Sequence, residues 1–325
     1  MKTKYLGLEL SSPVIVGSSP YTSTVSGLVR CAENGAGAAV LKSIFEEQIL
    51  HHAASLGRQS ESYYGDAELY LQRYLGDNYK AEFLQLLSDA RAKCSMPLIA
   101  SINCVGLDGE WVDYATLMAQ AGASALELNI FLQPTDIHTS SQELERRYAE
   151  IAGKVASAVR VPVSVKLSMR FTNLFAVADS LEARGVKGVV LFNRFFEPDI
   201  DVERMQFIES SPYSEPSELR NVLRTAAICS TVLPKLDLSV STGVHDGEAV
   251  VKALLCGARS VQVCSALHRG GYEVVARMNE YLDAWASRHG FSSLEKFRGR
   301  LKFGDDTAAM AQRVQYMKYF PASAE

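Results

Sequence analysis

The sequence lacks the patterns that mark metal-binding and membrane-spanning proteins. Its six cysteines are scattered without a CxxC pair, and its six histidines show no HExxH spacing. No segment approaches the roughly 18 consecutive apolar residues that a bilayer span requires. We therefore expect no metal site and no membrane partner.

Positive charge is also scarce. Lys and Arg number 33 against 37 Asp and Glu, so the formal net charge is −4. This balance provides no basic surface for nucleic acid. Single cysteines, and a first segment without the apolar core of a signal peptide, predict a protein of the reducing cytoplasm.

What the sequence does contain is a recurring series of short apolar runs, separated by segments with helical spacing. The runs are nearly continuous rather than alternating, which is typical of parallel strands buried on both faces. Several helical segments end in glycine, as a helix C-cap does: Gly35, Gly122, Gly185, Gly257 and Gly290. Eight runs predict strands, namely Pro13–Val16, Ala38–Lys42, Pro97–Ile102, Ala125–Ile130, Pro162–Leu167, Gly188–Phe192, Leu236–Ser241 and Ser260–Val263.

The spacing of these runs favours a closed (β/α)₈ TIM barrel over a doubly wound open sheet. Most intervals match one strand plus one helix, and two longer intervals predict insertions at about 44–95 and 194–235. The composition shows no break, so we expect a single domain over residues 1–325. The segment Tyr5–Leu10 is expected to form a flap that closes the bottom of the barrel.

Small polar residues end the last two predicted strands, at Ser241-Thr242-Gly243 and Cys264-Ser265. Small side chains let backbone N–H groups approach an anion, and the start of the following helix adds partial positive charge. Loops in these positions form the phosphate site of many barrels. We expect a phosphate cradle here; the alternative is that small residues simply suit tight turns.

Two lysines, Lys42 and Lys166, occur in apolar strand segments, where an unpaired ammonium group is costly. Each therefore needs an anionic partner. One hypothesis is a buried carboxylate such as Glu127. A second is a reduced flavin, whose negative charge a fixed lysine stabilises. A third is the Schiff-base lysine of an aldolase.

Together these strand ends resemble the FMN-dependent dihydroorotate dehydrogenases, nearest the soluble dimeric class 1 enzymes. The resemblance extends from Ser12-Pro13 to about Lys302, and it is carried by the order and spacing of several motifs rather than by any single one. The strongest are Leu41-Lys42-Ser43, Glu127-Leu128-Asn129, Val165-Lys166-Leu167 and the stretch from Leu254 to His268.

The resemblance implies FMN at the carboxyl face of the barrel, a homodimer and a role in pyrimidine biosynthesis. Lys42, Asn129 and Asn193 match residues that bind substrate in the family, and Lys42 and Lys166 match catalytic ones. The implied cofactor-binding set is Gly17, Ser18, Lys42, Ser43, Asn129, Lys166, Asn193, Ser241, Thr242, Gly243, Cys264 and Ser265.

The loop after the fourth strand departs from the family. The family has a Cys or Ser there as the base that accepts a substrate proton, whereas this chain has Leu132 or Gln133, and neither can act as a base. Thr135 replaces a family asparagine, and the Asn-rich loop after the second strand has no match. A substrate other than dihydroorotate is therefore expected, because a polar site discriminates through its hydrogen-bonding groups.

Cys104, at the end of the third predicted strand, is our first candidate for the missing acid or base. Tyr63, Tyr64 and His138 are further candidates. The alternative for Cys104 is a small buried apolar residue.

Three functions remain in competition. The first is an FMN-dependent oxidoreductase that acts on a CH–CH bond next to a carbonyl, with a dihydropyrimidine or similar small molecule as substrate. The second is a Schiff-base aldolase on a phosphate-binding barrel. The third is a flavin-binding protein without catalysis.

Overall fold

Eight parallel strands form a closed barrel in the computed structural model, which describes residues 1–45, 80–103, 110–132, 136–195, 197–208 and 211–303. The ring closes because the second strand pairs with the first on one side and with the third on the other. The (β/α)₈ prediction is confirmed, and the open sheet is wrong. In order, the barrel strands are Val14–Val16, Ala38–Val40, Leu98–Asn103, Ala125–Leu128, Val163–Leu167, Gly188–Leu191, Asp237–Ser241 and Ser260–Val263.

Each predicted apolar run overlaps one of these strands, because a strand covered by helices on one side and barrel interior on the other needs apolar residues on both faces. The second strand is shorter than predicted and ends at Val40. A two-residue strand, Ile44–Phe45, continues the pairing with the third strand.

Helices alternate with the strands around the outside of the barrel. Side-chain oxygens cap four of them at the start: Thr24, Ser140, Asn173 and Asp246 each accept a backbone N–H. The five predicted C-cap glycines all have positive φ. The helical segments are Val25–Glu33, 80–93, Glu110–Gln120, Ser141–Ala158, Leu174–Ala183, Leu219–Val232, Gly247–Leu255, Ser265–Gly270 and Glu273–Arg288.

The interval after the sixth strand holds more structure than the sequence analysis predicted. An antiparallel hairpin joins Asp199–Asp201 to Gln206–Ile208, and the helix Leu219–Val232 follows it. The hairpin exposes Ile200 and Phe207 to solvent. None of the described helices combines the length and the apolar run that a membrane span needs.

A second hairpin closes the amino-terminal end of the barrel, as predicted for Tyr5–Leu10. Its strands are Thr3–Tyr5 and Leu8–Leu10, and the buried side chains of Tyr5, Leu6 and Leu10 pack on barrel residues that include Ile15 and Ile99. Leu6 N donates to Asp237 Oδ2 at 2.7 Å, which ties the hairpin to the seventh strand. The barrel therefore opens to ligands at its carboxyl end.

The Leu10→Ala variant tests this closure. Leu10 is 1 % exposed, so truncation leaves a cavity, and we expect the free energy of unfolding to fall by about 2–5 kcal/mol. Denaturant unfolding measures it. Leu301→Ala is the matched control, because Leu301 is 62 % exposed and should change stability by less than about 0.5 kcal/mol. Equal effects of the two variants would contradict the packing of the amino-terminal hairpin against the barrel.

Candidate active site

The carboxyl ends of the eight strands bring the predicted site residues together at one end of the barrel, where barrel enzymes have their active sites. Of the predicted catalytic and ligand-binding residues, only Cys104 lies outside the described residues, so its proposed role stays a prediction. The same holds for Tyr63, Tyr64, Gln133 and Thr135.

Lys166 occupies the upper interior of the barrel and contacts the fully buried amide of Gln262. Lys166 Nζ donates to Gln262 Oε1 at 3.4 Å, and Gln262 Nε2 donates to Glu127 Oε2 at 2.5 Å. The carboxylate that the sequence analysis considered for Lys166 is therefore present, but it acts through an amide rather than by a direct ion pair.

Gln262 was missed at the sequence level. It points inward from the eighth strand, two residues before Cys264. The signal was available, since a polar residue inside an apolar strand is the same pattern that singled out the lysines.

Glu127 is an unusual group for a barrel interior. It is 1 % exposed, and its Oε1 atom has no hydrogen-bond partner among the described residues. Burial raises the pKa of this carboxyl above its usual range, while the positive charge of Lys166 and the Gln262 hydrogen bond oppose the rise. The interior thus holds a carboxyl group whose ionisation is disfavoured by burial and favoured by Lys166 and Gln262.

A chain of serine hydroxyls joins the first three strands. Ser43 N donates to Ser18 Oγ at 2.9 Å, and Ser43 Oγ lies 3.1 Å from Ser18 Oγ and 2.6 Å from Ser101 Oγ. Gly17 is required nearby, because a Cβ there would lie 2.7 Å from Cys264 Sγ. Ser101 was not predicted, since one small polar residue in a strand is a weak signal.

Lys42 differs from the expectation that it lies within a buried strand. The second strand ends at Val40, and the Lys42 side chain is exposed. Its ammonium group therefore remains hydrated and does not need a protein counter-ion. The burial argument for an anionic partner applies to Lys166 and not to Lys42.

The two predicted substrate asparagines are in contact. Asn193 Nδ2 donates to Asn129 Oδ1 at 2.7 Å, and both side chains are partly buried. Their backbones are anchored to neighbouring strands, since Asn129 N donates to Ile102 O and Asn193 N to Leu167 O. The remaining amide groups of the pair can bind a polar ligand.

Ser214, which the sequence analysis did not predict, links the two small-residue loops. Its Oγ accepts from Gly243 N at 3.2 Å and donates to Ser265 Oγ at 3.2 Å, and its N–H donates to Ser265 Oγ at 2.9 Å. The Gly243 N–H, expected to face an anion, is thus already bonded to a hydroxyl. Ser214 comes from a loop of the insertion, where sequence patterns carry little positional information.

Several hydrogen-bond donors of the predicted phosphate cradle remain available to a ligand. Ser265 Oγ accepts two hydrogen bonds, so its own hydrogen is uncommitted. Among the described residues, no protein acceptor takes the backbone N–H of Thr242 or of Ser265. Thr242 is held at φ 77°, and its Oγ1 donates to Phe192 O at 3.1 Å.

Two basic side chains border this cradle. His245 Nε2 lies 3.1 Å from Ser214 Oγ and must donate to it, because the serine hydrogen is already given to Ser265. Arg269 donates to Ser214 O at 3.4 Å and pairs with Glu215 at 2.5 Å. Burial and then the charge of Arg269 lower the pKa of His245.

Leu132 is one of the two residues that the resemblance aligns with the family's base, and the other, Gln133, lies outside the described residues. Leu132 is partly buried, and its N–H donates to the hydroxyl of Tyr148 at 3.2 Å. Burial raises the pKa of Tyr148, so this phenol stays protonated near neutral pH. His138 is exposed, and its backbone N–H donates to Asp136.

Nothing in the described ranges resembles a metal centre. No three of the His, Cys, Asp and Glu side chains there cluster as ligands. Burial raises the pKa of Cys31 and Cys229 to about 12, and it also raises that of Cys264, so these cysteines remain thiols.

Comparisons with known proteins agree with this geometry. The dihydroorotate dehydrogenase family profile matches residues 1–285. A dihydroorotate dehydrogenase B (NAD(+)) catalytic subunit from Methanosarcina acetivorans is 27 % identical over 90 % of this chain and 93 % of its own. Its counterpart from Methanocella arvoryzae is 29 % identical over 85 % and 91 %. The chloroplastic dihydropyrimidine dehydrogenase (NADP(+)) of Arabidopsis thaliana is 24 % identical over 90 % and 75 %.

Fold and site define a (β/α)₈ barrel enzyme whose ligand-binding end is lined by amides, hydroxyls and a lysine at the strand ends. The chain belongs to the dihydroorotate dehydrogenase family, and it is an oxidoreductase of the dihydroorotate dehydrogenase-like kind. The resemblance drawn from the sequence is confirmed. Membership of a dehydrogenase family speaks against the aldolase alternative.

The lowered pKa of His245 predicts a pH dependence of stability. As the pH falls through 6.5, the ordinary value, the unfolded chain takes up a proton that the folded site resists, so stability decreases. The facing groups are Arg269, Glu215, Asp246 and Ser214. His245→Gln should flatten this decrease, as measured by thermal melting between neutral and mildly acidic pH.

His138→Gln is the control for that measurement, because the His138 side chain is exposed. It should leave the wild-type pH profile unchanged. A His245→Gln profile that coincides with the wild type would contradict the assigned environment of His245.

Proposed function

We propose that this protein is an FMN-dependent oxidoreductase that acts on a CH–CH bond next to a carbonyl of a small dihydropyrimidine-like substrate. The observation that carries the proposal is the ammonium group of Lys166, which sits inside the barrel mouth and, among the described residues, has the neutral Gln262 amide as its direct partner. A ligand that develops negative charge there supplies the missing compensation. Bound FMN would supply an acceptor for the two electrons and the hydrogen of a substrate C–H bond.

The residues present fit this cofactor. A phosphate needs several donors in one place, and the uncommitted Ser265 hydroxyl, the N–H groups of Thr242 and Ser265, and the nearby Arg269 provide them. In this arrangement Ser214 Oγ would share the Gly243 N–H with the phosphate or release it. Gly17, Ser18 and Ser43 would lie along the ring system, and Lys166 would hold its developing charge.

Substrate selection falls to Asn129, Asn193 and Lys42 in this proposal. The asparagines offer paired amide groups at the mouth, and the exposed Lys42 can reach an anionic substituent of the substrate. Leu132 or Gln133 occupies the position where the family has its base, and neither can act as a base, so proton removal depends on another group. This departure supports a substrate other than dihydroorotate, with Cys104 as the candidate acid or base.

The resemblance to the class 1 enzymes supports a homodimer. The electron acceptors that the relatives' names include, NAD(+) and NADP(+), are the first to test for reoxidation of the enzyme.

Spectroscopy of the purified protein tests the function. We expect flavin absorbance, extractable FMN, and bleaching by a dihydropyrimidine under anaerobic conditions, with dihydroorotate as a poorer reductant. Lys166→Ala should lose the flavin or its reducibility, because a buried positive charge stabilises the electrons received.

A colourless protein that borohydride traps with a carbonyl substrate would favour the aldolase. Bound FMN that no such compound reduces would favour a binding protein.

The Ser265→Ala variant tests the phosphate cradle. Loss of one hydrogen bond to a charged group should weaken FMN binding by about ten- to hundredfold. Riboflavin, which lacks the phosphate, should bind the variant and the wild type alike. Titration of the apoprotein with both ligands gives the comparison.

Ser217→Ala is the matched control, because Ser217 is exposed and lies in the insertion that also carries Ser214. Equal losses for FMN and riboflavin in Ser265→Ala would show a general disturbance of the site rather than a phosphate contact.

A further inference from the structure

The buried carboxyl of Glu127 has no role in the proposed reaction, although it lies one amide away from the lysine at the centre of the site. Its Oε2 atom accepts from Gln262, and in the part of the chain that the structure describes its Oε1 atom has no partner. A permanently ionised carboxylate that is 1 % exposed would normally use all its acceptor positions. The unused oxygen is a position where a proton can reside.

Few charges act on Glu127. From the fifth strand, Lys166 lowers the pKa of Glu127, and from the eighth strand Gln262 does so by a hydrogen bond. Two further groups face Glu127: Tyr5 from the amino-terminal hairpin and Cys264 from the end of the eighth strand. Burial raises the pKa of both groups, so both are neutral. Among the residues that the structure describes, Lys166 therefore provides the positive charge that opposes protonation of Glu127.

That dependence links Glu127 to whatever anion Lys166 binds. When negative charge arrives beside Lys166, the field of the ammonium at Glu127 is cancelled and only the cost of burying the carboxylate remains. The affinity of Glu127 for a proton must then rise. Gln262 keeps the two groups in contact without letting them form a direct ion pair.

We propose that Glu127 is a redox-linked proton acceptor: it is a carboxylate while the cofactor is oxidised and takes up a proton when the cofactor is reduced. This inference rests on the proposed function. In turnover, two electrons and one hydrogen of the substrate go to the cofactor, and the second substrate hydrogen is balanced by the proton on Glu127. In a chemical titration that second proton comes from solvent.

The test is the pH dependence of the midpoint potential of the bound flavin. One proton per two electrons changes the equilibrium constant tenfold per pH unit, which is about 30 mV for a two-electron couple. With Glu127 as a second acceptor, the wild-type potential should fall by about twice that amount per pH unit. Glu127→Gln, which keeps the shape but cannot take the proton, should show about 30 mV per pH unit.

Asp237→Asn is the matched control, because it removes a carboxyl at the opposite end of the barrel, where Asp237 pairs with Arg259. This variant should retain the wild-type slope. An infrared difference spectrum, reduced minus oxidised, should contain the C=O band of a protonated carboxylic acid in the wild type and lose it in Glu127→Gln.

The outcomes separate the two proposals. A wild-type slope of about 30 mV per pH unit would overturn the inference, even if the variant failed to fold, and would leave the flavin enzyme intact. An unchanged slope in a folded Glu127→Gln protein would do the same. A protein that binds no flavin would overturn both.

Discussion

The cost of placing charge inside a barrel governs the structure of this site. Most barrel interiors are filled with branched apolar side chains, whereas this one holds Lys166, Gln262 and Glu127 in contact below its open end. The three groups tolerate burial because the Gln262 amide bonds to both charged groups and because the opposite charges of Lys166 and Glu127 attract each other. This network compensates the positive charge of Lys166 only in part, and the proposed cofactor would supply the remaining negative charge.

The two ends of the barrel have different roles: the amino-terminal end stabilises the fold, and the carboxyl end holds the candidate site. At the amino-terminal end, a hairpin seals the interior with Tyr5, Leu6 and Leu10, and Asp237 fixes that hairpin to the seventh strand. At the carboxyl end, loops are free to vary while the strands hold their side chains in place. Residues of the loop after the fourth strand, such as Leu132, can therefore be exchanged without disturbing the fold.

Most of the fold was predictable because the barrel repeats one pattern eight times, and every predicted strand is present. Polar residues within or just after the strands could be recognised for the same reason, since Lys166 interrupts an apolar strand and Asn129 and Asn193 follow the ends of two others. Ser214 could not be found in this way, because its place in the cradle depends on a contact between loops far apart in the sequence. The exposure of Lys42 was missed because pairing with neighbouring strands, rather than apolar character, determines where a strand ends.

The order of the strands, the polar residues at their ends and the likeness to a dehydrogenase family are all determined by the linear sequence, because they depend on periodicity and local spacing. Which of those polar groups touch is a matter of tertiary structure alone. The reach of Glu127 to Lys166 through Gln262 requires the fourth, fifth and eighth strands to surround one interior. Closing the barrel brings them together, and burial then gives their charges an influence that the same residues would not have in water.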